Sequence, residues 1–266
     1  MDRCKICNSM VELRFKAQIF KKKYRADYFY CNNCGYLCTE EPFWLSEAYK
    51  SPITLNDTGI LARNIYFSNL TSTLLYFLFD KKSQFLDYGG GYGIFTRLMR
   101  DIGFDFFHYD PFCSNLFARG FEFNSEINRI SIITCWECFE HFIDPIIDIE
   151  KMFVITKNIL FSTELIPEPF PQPGEWAFYG HEHGQHISFY SNKTLKFLAS
   201  KYHLNFYSYG NIHLFTEEKL NSNVVQYLSY FSSIGFGFFI KNLIKSKTEE
   251  DMMKTIELFN VHENSL

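Results

Sequence analysis

The sequence predicts an α/β fold: a doubly wound sheet with a small cysteine-bearing module at its N-terminus and a helical C-terminal tail. Three observations carry that prediction. The first is the run Gln84-Phe-Leu-Asp-Tyr-Gly-Gly-Gly-Tyr-Gly-Ile-Phe-Thr-Arg97, in which a short apolar strand ends in Asp87 and glycines recur at Gly89, Gly91 and Gly93. Ile94, Leu98 and Ile102 then return at helical spacing, and Gly103 stands where a C-terminal cap belongs. Strand, glycine turn and helix make the first unit of a doubly wound sheet, in which ligands bind at the carboxyl ends of the strands. The second is the buried-strand run Ile130-Ser-Ile-Ile-Thr134, with a helical pattern following from Pro145. The third is a pair of Cys-x-x-Cys knuckles, Cys4/Cys7 and Cys31/Cys34, confined to residues 1–45.

The elements follow in order. Four thiolates in two such pairs suit tetrahedral zinc, and a segment this short needs the metal to fold. The site is closed and structural, because four thiolates leave no position for substrate or water. Asn56, Asp57 and Thr58 offer caps for a long helix from Ile60 to Phe79. Phe104 to Tyr109 reads as the second strand, ended by Asp110, and Pro111 to Asn128 has room for an abbreviated third. After the strand 130–134 come a helix over 145–157 and a fifth strand over 158–164. Residues 166–174 hold four of the eight prolines and form a stiff loop. Ser191 or Asn192 caps a last helix through Lys201, and residues 204–216 supply two closing strands. The domain plan is thus a metal module over 1–45, the main domain over 46–217 and a helical extension over 218–266.

The glycine turn lacks the third glycine of the dinucleotide fingerprint, since Ile94 stands there. The pattern Asp-x-Gly-x-Gly-x-Gly instead resembles motif I of the class I S-adenosylmethionine (SAM) methyltransferases. That resemblance implies a Rossmann-like sheet, with Gly89, Gly91 and Gly93 along the methionine part of SAM, Asp87 beneath it, and Asp110 accepting from the ribose hydroxyls. The segment Cys135-Trp-Glu-Cys-Phe-Glu-His-Phe-Ile-Asp-Pro145 is similar to the stretch after strand four in small-molecule methyltransferases, which implies Trp136 and Glu137 beside the cofactor. Glu140 and His141 read as structural. Residues 166–191, together with both knuckles, resemble sugar methyltransferases that carry an N-terminal zinc domain. Such relatives place a catalytic histidine at the position of His186, with His183 and His181 as reserve candidates. Relatives that methylate sugar carbon have an acid where this chain has Gln185, so the resemblance points to oxygen as the acceptor atom.

Methyl transfer from a sulfonium is an in-line displacement needing alignment, a dry site and removal of the acceptor's proton, which histidine suits near neutral pH. If His-Ile-Ser-Phe-Tyr190 is extended, alternation puts His186, Ser188 and Tyr190 on one face, toward a cleft. A metal held by His181, His183 and Glu182 and simple loop-ordering are the rival readings of this cluster. The expected enzyme is a cytoplasmic SAM-dependent O-methyltransferase acting on a small polar acceptor, a nucleotide sugar or polysaccharide precursor. Two alternatives are RNA methylation guided by the zinc module and a non-catalytic SAM-binding scaffold. The net charge of −4 speaks against nucleic acid, and although residues 1–45 hold eight Lys/Arg against five Asp/Glu, the remainder holds 18 against 25. The first residues, Met1-Asp-Arg-Cys-Lys, form no secretion signal, and eight cysteines without one suggest reduced thiols. Residues 220–240 carry no charge, but their asparagines and serines make a membrane span unlike what roughly 20 apolar residues would give. A helix packed on the domain, or a homodimer through the extension, is the plainer account, with shallow membrane association as the minority one.

Overall fold

The computed structural model describes residues 1–50, 57–124, 126–127 and 129–263, with side chains through residue 257. The chain forms two compact units, one from residues 1–56 and 135–219, the other from 57–134 and 220–266. In chain order it builds strands β1 (Glu12–Ile19), β2 (Tyr24–Tyr30) and β3 (Leu37–Thr39) and the short helix α1 (Leu45–Ala48). Then come α2 (Ile60–Leu78), β4 (Gln84–Tyr88), α3 (Ile94–Ile102), β5 (Asp105–Tyr109), β6 (Ile130–Cys135), α4 (Pro145–Ile155), β7 (Ile159–Ser162) and β8 (Ser188–Phe189). The chain closes with α5 (Asn192–Lys201), β9 (Asn205–Tyr209), β10 (Ile212–Thr216), α6 (Ser222–Ser233), α7 (Gly237–Ile240) and α8 (Thr248–Glu263). The mixed α/β fold read from the sequence is the one found.

In the second unit, β4 lies between β5 and β6, parallel to both. Parallel strands are covered on both faces, and Phe85, Leu86 and Asp87 are accordingly all buried. Helix α3 starts at left-handed Gly93 and stops at Gly103. The abbreviated third strand shrinks to one bridge: Glu122 pairs parallel with His108, whose N–H donates to the Phe121 carbonyl. With one apolar-rich strand's worth of pairing absent, Pro111–Asn128 had no periodicity to read; Ser125 and Asn128 lie outside the described residues. The cap of α2 is Gly59, without a side-chain bond, because Asp57 is drawn into an ion pair with Arg63; Asn56 lies outside the described residues. Helices α6 and α7 pack on α2, where Gly237 sits so close to Asn69 that a Cβ would strike its backbone. Helix α8 is anchored by Asp251, whose carboxylate takes Arg100 Nε and Nη2 at 2.8 and 2.7 Å and Arg97 Nη2 at 2.8 Å.

In the first unit, β1, β2, β3 and β8 form an antiparallel sheet in that order, so the cysteine module's last strand pairs with residues 188–189. Its core gathers Tyr28, Trp44, Tyr179, Ile187 and Phe189. Strands β7, β10 and β9 pair antiparallel. Helix α4 begins at Asp144, which caps Ile147 with Pro145 in the first turn, and α5 at Ser191 in a capping box with Thr194. The extended run after His186 is shorter than expected, and Ser188 and Tyr190 do not face a cleft. Both are buried: Ser188 Oγ donates to the Phe142 carbonyl at 2.6 Å and Tyr190 OH to the Phe139 carbonyl at 3.0 Å. Their polar groups satisfy backbone acceptors in the core, which is what a buried hydroxyl must do.

Arg100 and Asp251 are each 3% exposed. Asp251→Ala leaves a buried guanidinium short of its main counter-ion and should cost about 3–5 kcal/mol of stability, read as a lowered midpoint in denaturant unfolding. Loss of less than about 1 kcal/mol would show that α8 does not hold the buried pair.

Candidate functional site

The glycine turn is built around a carboxylate in a dry core. Asp87 is 1% exposed, and its oxygens accept from Thr96 Oγ1 at 2.9 Å and, more weakly, Thr134 Oγ1 at 3.4 Å. Burial pushes its carboxyl up to about 7; the two threonine donors oppose that rise and the Asp110 charge adds to it. A Cβ on Gly90 would strike the Asp87 carboxylate and His108, so this glycine, which the sequence reading passed over, is the one whose smallness seats the acid. Gly91 has φ +56° with open space before it, leaving a bare backbone that a ligand can approach. Its carbonyl accepts from His108 Nε2 at 2.9 Å, which places the proton of that ring on Nε2. Its N–H donates to Asp110 Oδ2 at 2.9 Å. Asp110 Oδ1 accepts from the N–H groups of Phe112 and Cys113 at 2.7 and 2.8 Å. Three of the roughly four lone-pair positions of that carboxylate are thus filled by backbone, and the open one is on Oδ2.

The first unit carries the remaining predicted residues. At the end of β6, Trp136 is buried and Glu137 adopts φ +54°, an unusual conformation for a residue with a side chain. It is held there by Ser162, whose Oγ accepts from the Glu137 N–H at 2.8 Å and donates to Oε1 at 2.6 Å.

Four sulfurs converge in the N-terminal module. Those of Cys4, Cys7, Cys31 and Cys34 lie within 4.8 Å of one another, with Cys4–Cys34 at 3.5 Å and Cys7–Cys31 at 3.4 Å. These separations are far too long for disulfides and near the edge of about 3.8 Å for a tetrahedron with zinc–sulfur bonds of 2.3 Å. The donor set fits zinc.

The histidines divide. His186 Nδ1 lies 2.6 Å from the Phe178 carbonyl, which can only accept, so Nδ1 carries the proton and Nε2 keeps its lone pair. Burial holds His186 well below the usual imidazole range, and any charge on His141 or His183 would push it further down. His183 packs on His186 with ring centroids 4.6 Å apart, and its Nδ1 accepts the Gln185 N–H at 3.1 Å. His181 instead stacks on Tyr179 at 5.1 Å. So the structure brings His183 and His186 together and turns His181 into an aromatic stack. Two residues read as structural join the pair. His141 approaches the His186 ring at 4.9 Å, and ligand atoms of Glu140, His141 and His186 lie within 4.8 Å of one another. Glu140 is 1% exposed with neither carboxylate oxygen hydrogen-bonded; burial, then the Glu137 charge, pushes it well above the carboxylate range. Two imidazoles and a carboxyl form a set able to share a proton or to hold a divalent cation.

The turn between β1 and β2 reaches this segment. The N–H groups of Phe20 and Lys21 donate to the carbonyls of His181 and Glu182 at 2.7 and 3.0 Å. Phe20, Lys21 and Lys22 all have positive φ, so three consecutive side-chain-bearing residues hold a costly conformation there.

The chain matches a family model described as a methyltransferase domain over residues 62–209. No curated protein matches it. Among solved structures it is similar to the plantazolicin methyltransferase BpumL in complex with SAH, at 16% identity and TM-score 0.46, covering 75% of this chain and 86% of that one. It is similar to the mitomycin 7-O-methyltransferase MmcR at 13% identity and TM-score 0.38, covering 65% and 59%. An O-methyltransferase family 2 protein from Planctomyces limnophilus, in complex with apigenin, matches at 12% identity and TM-score 0.37, covering 64% of each chain.

Asp87 carries a pH signature. Its ordinary pKa is near 3.9, so between about pH 4 and 7 the folded protein holds a proton that the unfolded chain releases, and stability falls as pH rises through that window. Asp87→Asn removes this share. The variant's melting temperature should overtake that of the parent as pH climbs, ending roughly 2–8 °C higher at pH 8. A difference that does not change with pH from 4 to 8 would remove the buried acid from this role.

Proposed function

Because the chain belongs to this methyltransferase-domain family, we propose that it transfers a methyl group from SAM to a hydroxyl of a small polar acceptor of the nucleotide-sugar class. The observation that carries the cofactor half is the turn itself: a buried acid under glycines, bare backbone at Gly91, and Asp110 with an open position on Oδ2. Gly89, Gly91 and Gly93 line the methionine part of SAM, Asp87 lies beneath it, Asp110 takes a ribose hydroxyl, and Trp136 and Glu137 lie beside the cofactor. When bound, SAM supplies the electrophilic methyl carbon; everything else is the chain's task.

The acceptor's proton goes to His186. Its Nδ1–H is committed to the Phe178 carbonyl, which orients the ring and leaves Nε2 as the accepting atom. His183, packed against it, contacts the acceptor's polar groups, and His181 orders the loop. Oxygen as the acceptor atom is supported by Gln185, which is buried with its amide donating to the Ala48 carbonyl at 3.0 Å and offers no carboxylate. The sugar class rests on the likeness of residues 166–191 and the cysteine module to sugar methyltransferases. Zinc at Cys4, Cys7, Cys31 and Cys34 holds the module and takes no part in the reaction.

A second reading is favoured by the two unpartnered oxygens of Glu140. A divalent cation held by Glu140, His141 and His186 would bind the acceptor oxygen and acidify it, the ligands serving where the first reading has a free imidazole. Metal analysis separates the two and tests the module. The protein should contain about one zinc per chain, lost in Cys34→Ser. A second equivalent of Mn2+ taken up by the parent and refused by Glu140→Gln would favour the cation.

The reading is tested by turnover on a panel of nucleotide sugars and on RNA. His186→Ala should lower the single-turnover rate by about 10²–10⁴-fold while SAM affinity holds. Asp110→Asn, which preserves shape, should weaken SAM about 10–100-fold by calorimetry. Methylation of RNA alone would overturn the acceptor class. A His186→Ala enzyme keeping more than a tenth of the rate would remove that residue from the role.

A further inference from the structure

Helix α6 is inside out. Its residues buried in the fold are Val225, Ser229 and Ser232, and Ser232 meets Thr73 of α2 at 3.4 Å. Its outward face carries Tyr227, Tyr230, Phe231 and Ile234, 47–65% exposed. A helix of a soluble domain turns its apolar stripe to the core; this one packs through small polar groups, as helices do where the surroundings are apolar. Helix α2, which α6 packs on, buries Phe67, Leu70, Leu74 and Leu75 as well as Ser68, Thr71, Ser72 and Thr73, while its Phe77 is 49% exposed.

The exposed rings are contiguous. Phe236 lies 6.2 Å from Phe77, 6.4 Å from Phe231 and 6.1 Å from Phe239, and Tyr230 lies 5.7 Å from Phe231. Phe238 and Phe239 of α7 are 50% and 64% exposed. Cations rim the patch: Lys81 Nζ sits 4.3 Å from the Tyr76 ring, Lys241 Nζ lies 5.8 Å from Phe238, and Lys245 follows, exposed. From Lys219 to Thr248 there is no Asp or Glu. Asp80, the acid beside Lys81, is turned onto the Lys82 N–H at 3.0 Å.

We propose that this aromatic, lysine-rimmed face of α2, α6 and α7 docks on an anionic lipid surface, with its rings at the headgroup–acyl boundary. An isologous dimer would set the patch against itself and bring lysine rims of like charge together; among the described residues Lys81, Lys241 and Lys245 form no ion pair with an acid. An anionic bilayer answers both features, the rings by burial and the lysines by charge. The docking is peripheral, since no helix among the described residues is long and apolar enough to cross a membrane. This inference does not depend on the identity of the acceptor.

The test is flotation of the full chain with vesicles of phosphatidylcholine alone and with about 30% phosphatidylglycerol, at low and high salt. The chain should float with the anionic vesicles, release in salt, and stay behind with the neutral ones. Lys81→Glu with Lys241→Glu should reduce binding roughly 10–100-fold, and Phe238→Ser with Phe239→Ser should abolish it; circular dichroism verifies the fold of each. Since both lysines are at the surface, their variant keeps the test decisive if the phenylalanine variant fails to fold. No flotation, equal binding to both vesicles, or a light-scattering mass of two chains that falls to one in the phenylalanine variant would overturn the proposal, the last in favour of a second copy.

Discussion

The guanidinium of Arg100 is the fastening on which the second unit depends. Buried, it needs partners for its donors; it finds acceptors on two segments and a covering ring on a third. Both oxygens of Asp251 in α8, the carboxylate of Asp105 and the carbonyl of Phe106 in β5 accept from it, and the Phe121 ring covers it with its centroid 3.8 Å from the guanidinium carbon. A planar fork can serve several acceptors at once where a lysine would serve as a point charge. The consequence is positional. Helix α3 is pinned at its C-terminal half, so its N-terminus at Gly93, and with it the glycine turn, cannot drift from β4 and β5. The C-terminal tail is therefore part of what holds the glycine turn in shape.

Polar groups kept out of water are the common theme of both candidate sites. Asp87 sits in the sheet with two threonine donors, and Glu140 sits beside two imidazoles with neither carboxylate oxygen hydrogen-bonded. Burying a carboxyl that is only partly compensated, or not at all, costs free energy that an apolar residue of similar size would not. Glu137 adds backbone strain to the same account. Strands β7 and β10 also bury polar groups, Ser162, His213 and Thr216, but these are hydroxyls and an imidazole with hydrogen-bond partners rather than carboxyls.

What could be read from the sequence was what obeys a period or a spacing. The glycine turn, the strand at 130, helix α3 and the paired cysteines announce themselves because each needs specific residues at fixed intervals. The single bridge at Glu122 had no period to show. Gly90 falls outside the alternating x-Gly pattern, and only the packing shows that a Cβ there would strike the Asp87 carboxylate. Alternation after His186 failed because Ser188 and Tyr190 found backbone acceptors inside, a tertiary fact no two-residue repeat encodes. Arg100 and Asp251 lie 151 positions apart, and no local period or spacing pairs them. The inverted polarity of α6 was visible as composition but not as direction, since only packing shows which face is turned out.

The cysteine module is built into the same sheet as the histidine segment, and the hydrogen bonds of the first unit show how. Strand β3 leaves the last knuckle and pairs directly with β8, two residues after His186, so order at the thiolates is order at the histidine segment. The Phe20–Lys22 turn at the far end of β1 and β2 hydrogen-bonds His181 and Glu182, fixing the same segment from its other side. Lys23 is neutralised by Glu47, whereas Lys21 and Lys22 remain exposed on that strained turn. A pair of cations is too short a track for a polynucleotide, which needs phosphate contacts along its length. The strain at residues 20–22 is what this turn bears while its backbone holds the carbonyls of His181 and Glu182.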